Sequence, residues 1–313
     1  MPLITKFSCT CKSCYDRGSR CSGLQALDYH SDVVGLILSG DQSMIRVCAG
    51  VGVQRVDKTC HSTLLMFHSD VIQREIRCQA ELGCRTAVIE FLSLTEKQVR
   101  FLDAAITWCY TGKTNIQFEE ADDHEDMWNF AVDLEMPGLA NYCMKLIIQK
   151  YSWADIKGER LIRENHARYG PEGFRKVCYE NRGIPRRNKL LCFVEDLICT
   201  RGPLMESAIQ GPDRRSYDQS YINLWQNARS EDEVFGNWLN RLGGLCREAD
   251  AQQWPTHPTQ WTKYMMTTPI YAPQNSLTEF LGCYKALPAE TTVRRFLREL
   301  KDGEVDRNLT RMG

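Results

Sequence analysis

Four cysteines, Cys9, Cys11, Cys14 and Cys21, lie among polar residues near the start of the chain. Zinc takes four soft ligands tetrahedrally, and a bound ion can order a segment that has no core of its own. The spacing C-x-C-x2-C-x6-C is not that of a standard knuckle pair, so residues 1–28 have two readings. One is a zinc site; the other, the default for so polar a segment, is a tail with free thiols. Apart from that zinc ion the sequence implies no cofactor. Enzyme constellations are missing: there is no G-x-S-x-G elbow, no H-E-x-x-H, no Walker loop and no dinucleotide fingerprint. His124-Glu125 lacks a second histidine, and Gly50-x-Gly52 lacks the third glycine of a phosphate loop. The six histidines stand beside no plausible nucleophile in sequence. The chain therefore reads as a non-enzyme, with catalysis left only to groups that meet in space.

The elements that would position any site are clearest around Thr95 to Phe118. Thr95 with Gln98 is a capping-box start, and Val99, Leu102, Ile106 and Cys109 follow at helical spacing. Phe101, Ala105 and Trp108 widen that stripe, Gly112 sits where a left-handed residue would close the helix, and Asn115 to Phe118 returns to strand-like alternation. Upstream, Ser31 caps a helix running to Ser39 and Gly40. Its Val33, Val34, Leu36, Ile37 and Leu38 are apolar on more than one face, too broad for a helix lying on one core. Met44–Ala49 and Val53–Asp57 read as a hairpin around Gly50 and Gly52, His61 as a structural residue opening a short helix, and Ala87–Leu92 as a strand. Residues 77–86, with Cys78 and Cys84, read as a polar surface connection.

Downstream the pattern is helical. The acidic run Glu119 to Asp126 reads as a solvated face at a helix start, ahead of Met127, Phe130, Ala131 and Leu134. Pro137 starts a helix whose inner face is Leu139, Tyr142, Cys143, Leu146 and Ile147. Pro171 precedes another and Pro185 a third. Arg182, Arg186, Arg187 and Lys189 fit an import signal, an acid-binding patch or a solvated helix start, the last being the default. Ser230 with Glu233 reads as a capping box. From Ala249 to Asn275, four prolines among Trp254, Trp261, Tyr264 and Tyr271 leave no room for a regular element, and the aromatics either pack on the helices or meet a partner. Ser276 with Glu279 starts a further helix, and Val293, Phe296, Leu297 and Leu300 mark the last.

Trp108-Cys109-Tyr110-Thr111-Gly112 resembles the "(W/F)-x-Y-T-G" signature that closes the third helix of BTB/POZ domains. His61 to Leu65 with Ser69 resembles that family's "H-x-x-x-L-x-x-x-S", and Phe130 to Met136 with Leu139 and Cys143 its "A-x-x-Y-x-M-x-x-L-x-x-x-C". The resemblance covers about residues 31–151, and Tyr179 to Leu191 is similar to a helical extension of fungal members. It implies that the helix over 31–39 packs across a dimer interface, which makes Val33, Val34, Ile37 and Leu38 partner-binding residues. The alternative is a helix buried by the C-terminal region. Where the family carries Ser-Asp before its first strand this chain has Gln42-Ser43, so the acid of a charged dimer-centre pocket is missing. Members that act as substrate adaptors carry a hydrophobic-x-Glu triplet after the signature. Phe118-Glu119-Glu120 lies there, which makes Phe118 and Glu120 candidate contacts to a cullin-type ubiquitin-ligase scaffold; otherwise Phe118 finishes a strand facing the core.

With 313 residues the chain exceeds one usual domain. We expect an α+β fold: a cysteine-containing tail over 1–28, a BTB/POZ-type sheet flanked by helices over 29–151, a helical extension over 152–248, and a Pro/aromatic segment with C-terminal helices over 249–313. A net charge of -1 argues against a nucleic-acid partner but leaves room for a local basic patch. No apolar run approaches bilayer length, so no membrane partner is expected. The polar, cysteine-bearing start does not read as a leader, and the fifteen cysteines, most of them in apolar patterns, suit an intracellular location, cytoplasm or nucleus. The function implied is protein–protein interaction, as a homodimerising scaffold or adaptor. The alternative is a zinc-dependent nucleic-acid-binding transcriptional regulator.

Overall fold

A computed structural model of the chain describes residues 34–35, 37–39, 43–50, 55–83, 87–114, 123–156, 171–201, 219–243, 253–257 and 260–266. The architecture is α+β and largely helical, in two compact units. Described residues up to 114, with 133–139, form the first; 123–132 and those of 140–266 form the second.

The first unit is built on three strands, β1 (Met44–Ala49), β2 (Val56–His61) and β3 (Val88–Phe91), in the order β2-β1-β3. Strand alternation puts Ile45, Val47, Ala49, Val56, Cys60 and Ile89 on the buried face. β2 pairs antiparallel to β1, from Met44 opposite His61 to Ala49 opposite Val56, and β3 runs parallel to β1. A parallel neighbour needs a crossover, supplied by α1 (Ser62–His68) and α2 (Asp70–Glu81).

Two expectations shift here. β2 lies further along than Val53–Asp57 because an inward position between Val56 and Cys60 is Lys58, whose polarity masks the alternation. Lys58 is ion-paired with Asp103. α2 runs through what reads as a polar connection and contains Cys78; it buries only Ile72 fully, too little for an apolar period to show.

α3 (Glu96–Thr111) forms as expected. Thr95 Oγ1 accepts the Gln98 N–H at 3.3 Å, Gln98 Oε1 accepts the Thr95 N–H at 3.0 Å, and Gly112 closes the helix at φ 67° with its N–H on the Trp108 carbonyl. α3 buries Val99, Phe101, Leu102, Ile106, Trp108 and Cys109, one continuous apolar face. The turn over 133–139 belongs to this unit: Ser69 Oγ donates to the Leu134 carbonyl at 2.7 Å and accepts the Ile72 N–H that starts α2.

The second unit holds α4 (Asp123–Asp133) and α5 (Pro137–Ile156) apart from their share of that turn. It also holds α6 (Pro171–Asn181), a 3-10 turn (Pro185–Arg187), α7 (Asn188–Arg201), α8 (Gln219–Glu231), α9 (Glu233–Gly243) and α10 (Trp261–Tyr264). Its core is a chain of rings: Tyr151 meets Phe174 and Phe193 at 5.9 and 5.7 Å, Phe174 meets Trp225 at 5.2 Å, and Phe193 meets Tyr264 at 5.2 Å. Among its described residues the Pro/aromatic segment thus contains a helical turn, α10, which packs Tyr264 inward. α9 is capped by Asp232, whose Oδ1 accepts the Phe235 N–H at 2.9 Å, while Ser230, the expected cap, donates within α8. Among the described residues no helix is long and apolar enough to cross a membrane.

Candidate interaction surfaces

Two residues singled out in the sequence, His61 and Tyr110, meet at the end of α3. The last turn of α3 presents the Tyr110 hydroxyl to the free edge of β2. There it accepts the main-chain N–H of His61 at 2.9 Å and lies 3.1 Å from His61 Nδ1. An edge N–H that would otherwise point at solvent is thereby satisfied by a side chain. Between this contact and α3 opens a recess of about 340 Å³ lined by Lys58, Thr59, Cys60, Ile106, Tyr110 and neighbouring threonines. Burial pushes the Cys60 thiol up, against the pull of Lys58 and a bond to Tyr110, and burial also raises the Tyr110 hydroxyl. Both stay protonated at neutral pH, the reverse of an activated nucleophile, so the recess is a structural node with an open mouth.

The other sheet edge is treated in the same way. Gln79 of α2 donates to the Val88 carbonyl at 2.8 Å and accepts the Val88 N–H at 3.1 Å, making the two bonds a neighbouring strand would make. Beside it a groove of about 450 Å³ runs between α2 and β3, lined by Val71, Ile72, Cys78, Ile89 and Phe91 with charged residues at its rim. Leu82 and Leu92, which follow α2 and β3, are 77 % and 87 % exposed. On the outer face of the sheet Arg46 grips Asp57 with bonds of 2.7 and 2.6 Å, and Arg55 adds a third contact at 3.1 Å. The Arg46 guanidinium, bonded to Asp57, holds that carboxyl down at about 2.

Of the residues expected to bind partners, Val34 and Ile37 are buried within the chain and Leu38 is half-buried. Val33, Phe118 and Glu120 lie outside the described residues, as do the candidate zinc ligands Cys9, Cys11, Cys14 and Cys21 and the strand expected over 115–118. Among the described residues no group of three or more His, Cys, Asp or Glu is placed to hold a metal ion.

The acidic run departs from expectation. It does start α4, but Asp123 and Glu125 are buried rather than solvated. Glu125 Oε1 accepts Lys150 Nζ at 2.6 Å and the Tyr151 hydroxyl at 3.3 Å, and Asp126 pairs with Lys176 at 2.8 Å. These partners stand far along the chain, so spacing gave no sign of them. No family model matches this sequence, and comparison with curated proteins and with solved structures finds no match.

Proposed function

We propose that the chain is a protein–protein interaction module of the BTB/POZ type, self-associating and serving as a scaffold or adaptor. One observation supports the reading: in the first unit a residue of each motif is bonded or packed against a residue of, or beside, another motif. His61 bonds Tyr110, Ser69 bonds Leu134, and Trp108 lies against His68 with 5.0 Å between ring centroids. Positions from three motifs spread over the sequence thus come together in this unit, which supports the reading.

Self-association rests on the segment over 31–39, where a helix is expected from the sequence. Val34 and Ile37 already use their apolar surface within the chain, so Asp there would test folding rather than assembly. What remains among the described residues of the segment is the half-buried Leu38, and we place the seam between copies there. Replacing Leu38 by Asp should give a folded monomer where the wild type sediments as a dimer. A wild-type monomer at micromolar concentration would rule the seam out. For the adaptor role the contact is Phe118 with Glu120, an aromatic anchor beside a carboxylate. Binding to the N-terminal region of a cullin, lost in Phe118→Ala and in Glu120→Lys at unchanged thermal stability, is the expected result; a wild type that does not bind removes the role.

A further inference from the structure

β3 carries Val88-Ile89-Glu90-Phe91 and is an edge strand: in the order β2-β1-β3 its one neighbour is β1. In a strand the main-chain N–H and C=O of one residue point to the same side, and successive residues alternate. The Ala87 carbonyl accepts the Arg46 N–H, so residues 87, 89 and 91 face β1, while Val88 and Glu90 face away from it. Gln79 takes both groups of Val88, at 2.8 and 3.1 Å. Glu90 has no such cap among the described residues, and its N–H and C=O form an open position on the edge.

The groove beside that position is apolar with acidic margins. Buried Ile72 and Ile89 line it, with half-buried Val71 and Phe91. Glu75 and Glu90 lie along it, both exposed, and neither makes an ion pair among the described residues. The neighbouring cations are committed elsewhere. Arg74, which also lines the groove, holds Glu135 at 2.7 Å, and Arg46, on the adjoining strand, holds Asp57 at 2.7 and 2.6 Å.

We propose that this edge is a docking site for an extended segment of a partner protein in which apolar and basic residues alternate. Its main chain pairs with Glu90 and adds a strand to the sheet. Alternation then puts its apolar side chains over the groove, on the side of Ile89 and Phe91, and its basic ones beside Glu90, where opposite charges across a strand pair are stabilising. A second copy of this chain does not fit. Two edges paired about the open position set Glu90 against Glu90, and like charges directly opposite are destabilising. The site rests on β3 and α2 of the first unit alone and does not depend on self-association.

The test uses the full chain and a fluorescein-labelled peptide of alternating Lys and Val, followed by anisotropy at physiological salt, beside a Lys-Ser peptide of equal charge and a Glu-Val peptide. We expect the Lys-Val peptide to bind at least about tenfold more tightly than either control. Glu90→Pro deletes an N–H that bonds nothing among the described residues, a change that edge strands tolerate, and should weaken binding by at least about fivefold. Glu90→Lys keeps that N–H, reverses the charge and should weaken binding by a similar factor; it carries the test by itself if the proline lowers the thermal midpoint. A folded wild type that ignores the Lys-Val peptide, equal binding of the Lys-Ser peptide, or Lys-Val binding unchanged in either folded variant would each overturn the proposal. So would a wild-type dimer that Glu90→Pro dissociates, which would give the edge to a second copy. Sedimentation of the Leu38→Asp variant reports the other seam separately.

Discussion

Gly138→Ala sets two effects of opposite sign against each other. Gly138 stands in the first turn of α5, where alanine is the better helix former by up to about 1 kcal/mol, less so near a terminus. Against this, a β-carbon at 138 would lie 2.8 Å from Trp108 Cη2, whereas ordinary contact begins at 3.4 Å. The indole must therefore retreat, and it is 6 % exposed and packed edge to face on His68, so the shift propagates into the core of the first unit. Overpacking of this kind costs about 1–3 kcal/mol. Sterics should win, leaving a net destabilisation of about 1–2 kcal/mol. Urea titration followed by tryptophan fluorescence measures it. Trp108→Phe removes the crowded ring atoms, so in that background Gly138→Ala should become neutral or mildly stabilising, a positive coupling in the double-mutant cycle. A single variant as stable as wild type, or a strictly additive cycle, would refute the reasoning.

Gly236→Ala should be the more damaging change, about 3 kcal/mol or more, because a β-carbon there would lie 2.3 Å from the Arg229 carbonyl oxygen, and main chain cannot rotate aside; loss of helical circular dichroism at lower urea is the readout. Tyr110→Phe leaves the His61 N–H without its acceptor and should cost about 1–2 kcal/mol, with faster exchange of that amide by NMR. Asp57, held at about 2, contributes stability that is complete above its unfolded value near 4 and is lost as pH falls through 2. The difference in thermal midpoint between wild type and Asp57→Asn should therefore be constant from neutral pH to about 5 and shrink towards pH 2.

Legibility in the sequence followed how local each determinant is. α3 could be read to the residue because its start, stripe and stop are all within the helix: Thr95 with Gln98, the apolar row, and Gly112. α2 was hidden because its contribution to the core is almost Ile72 alone, and the start of β2 was displaced because Lys58 stands between two buried positions. The burial of Glu125 could not be read, since what makes it tolerable, Lys150 and Tyr151, comes from another helix. The same holds for Gln79 closing the edge at Val88. Tyr110 and His61 were each legible as parts of a motif, but not as bonded to each other. The run Arg182, Arg186, Arg187 and Lys189 was legible as charge; that Arg182 and Arg186 are exposed required the fold.

The most direct test of self-association is the mass of the purified chain by sedimentation equilibrium at micromolar concentration, with the Leu38→Asp variant beside it. The account predicts twice 36.0 kDa for the wild type and 36.0 kDa for the variant at the same helicity. A wild type at 36.0 kDa, or a variant that remains at twice that mass, would contradict it.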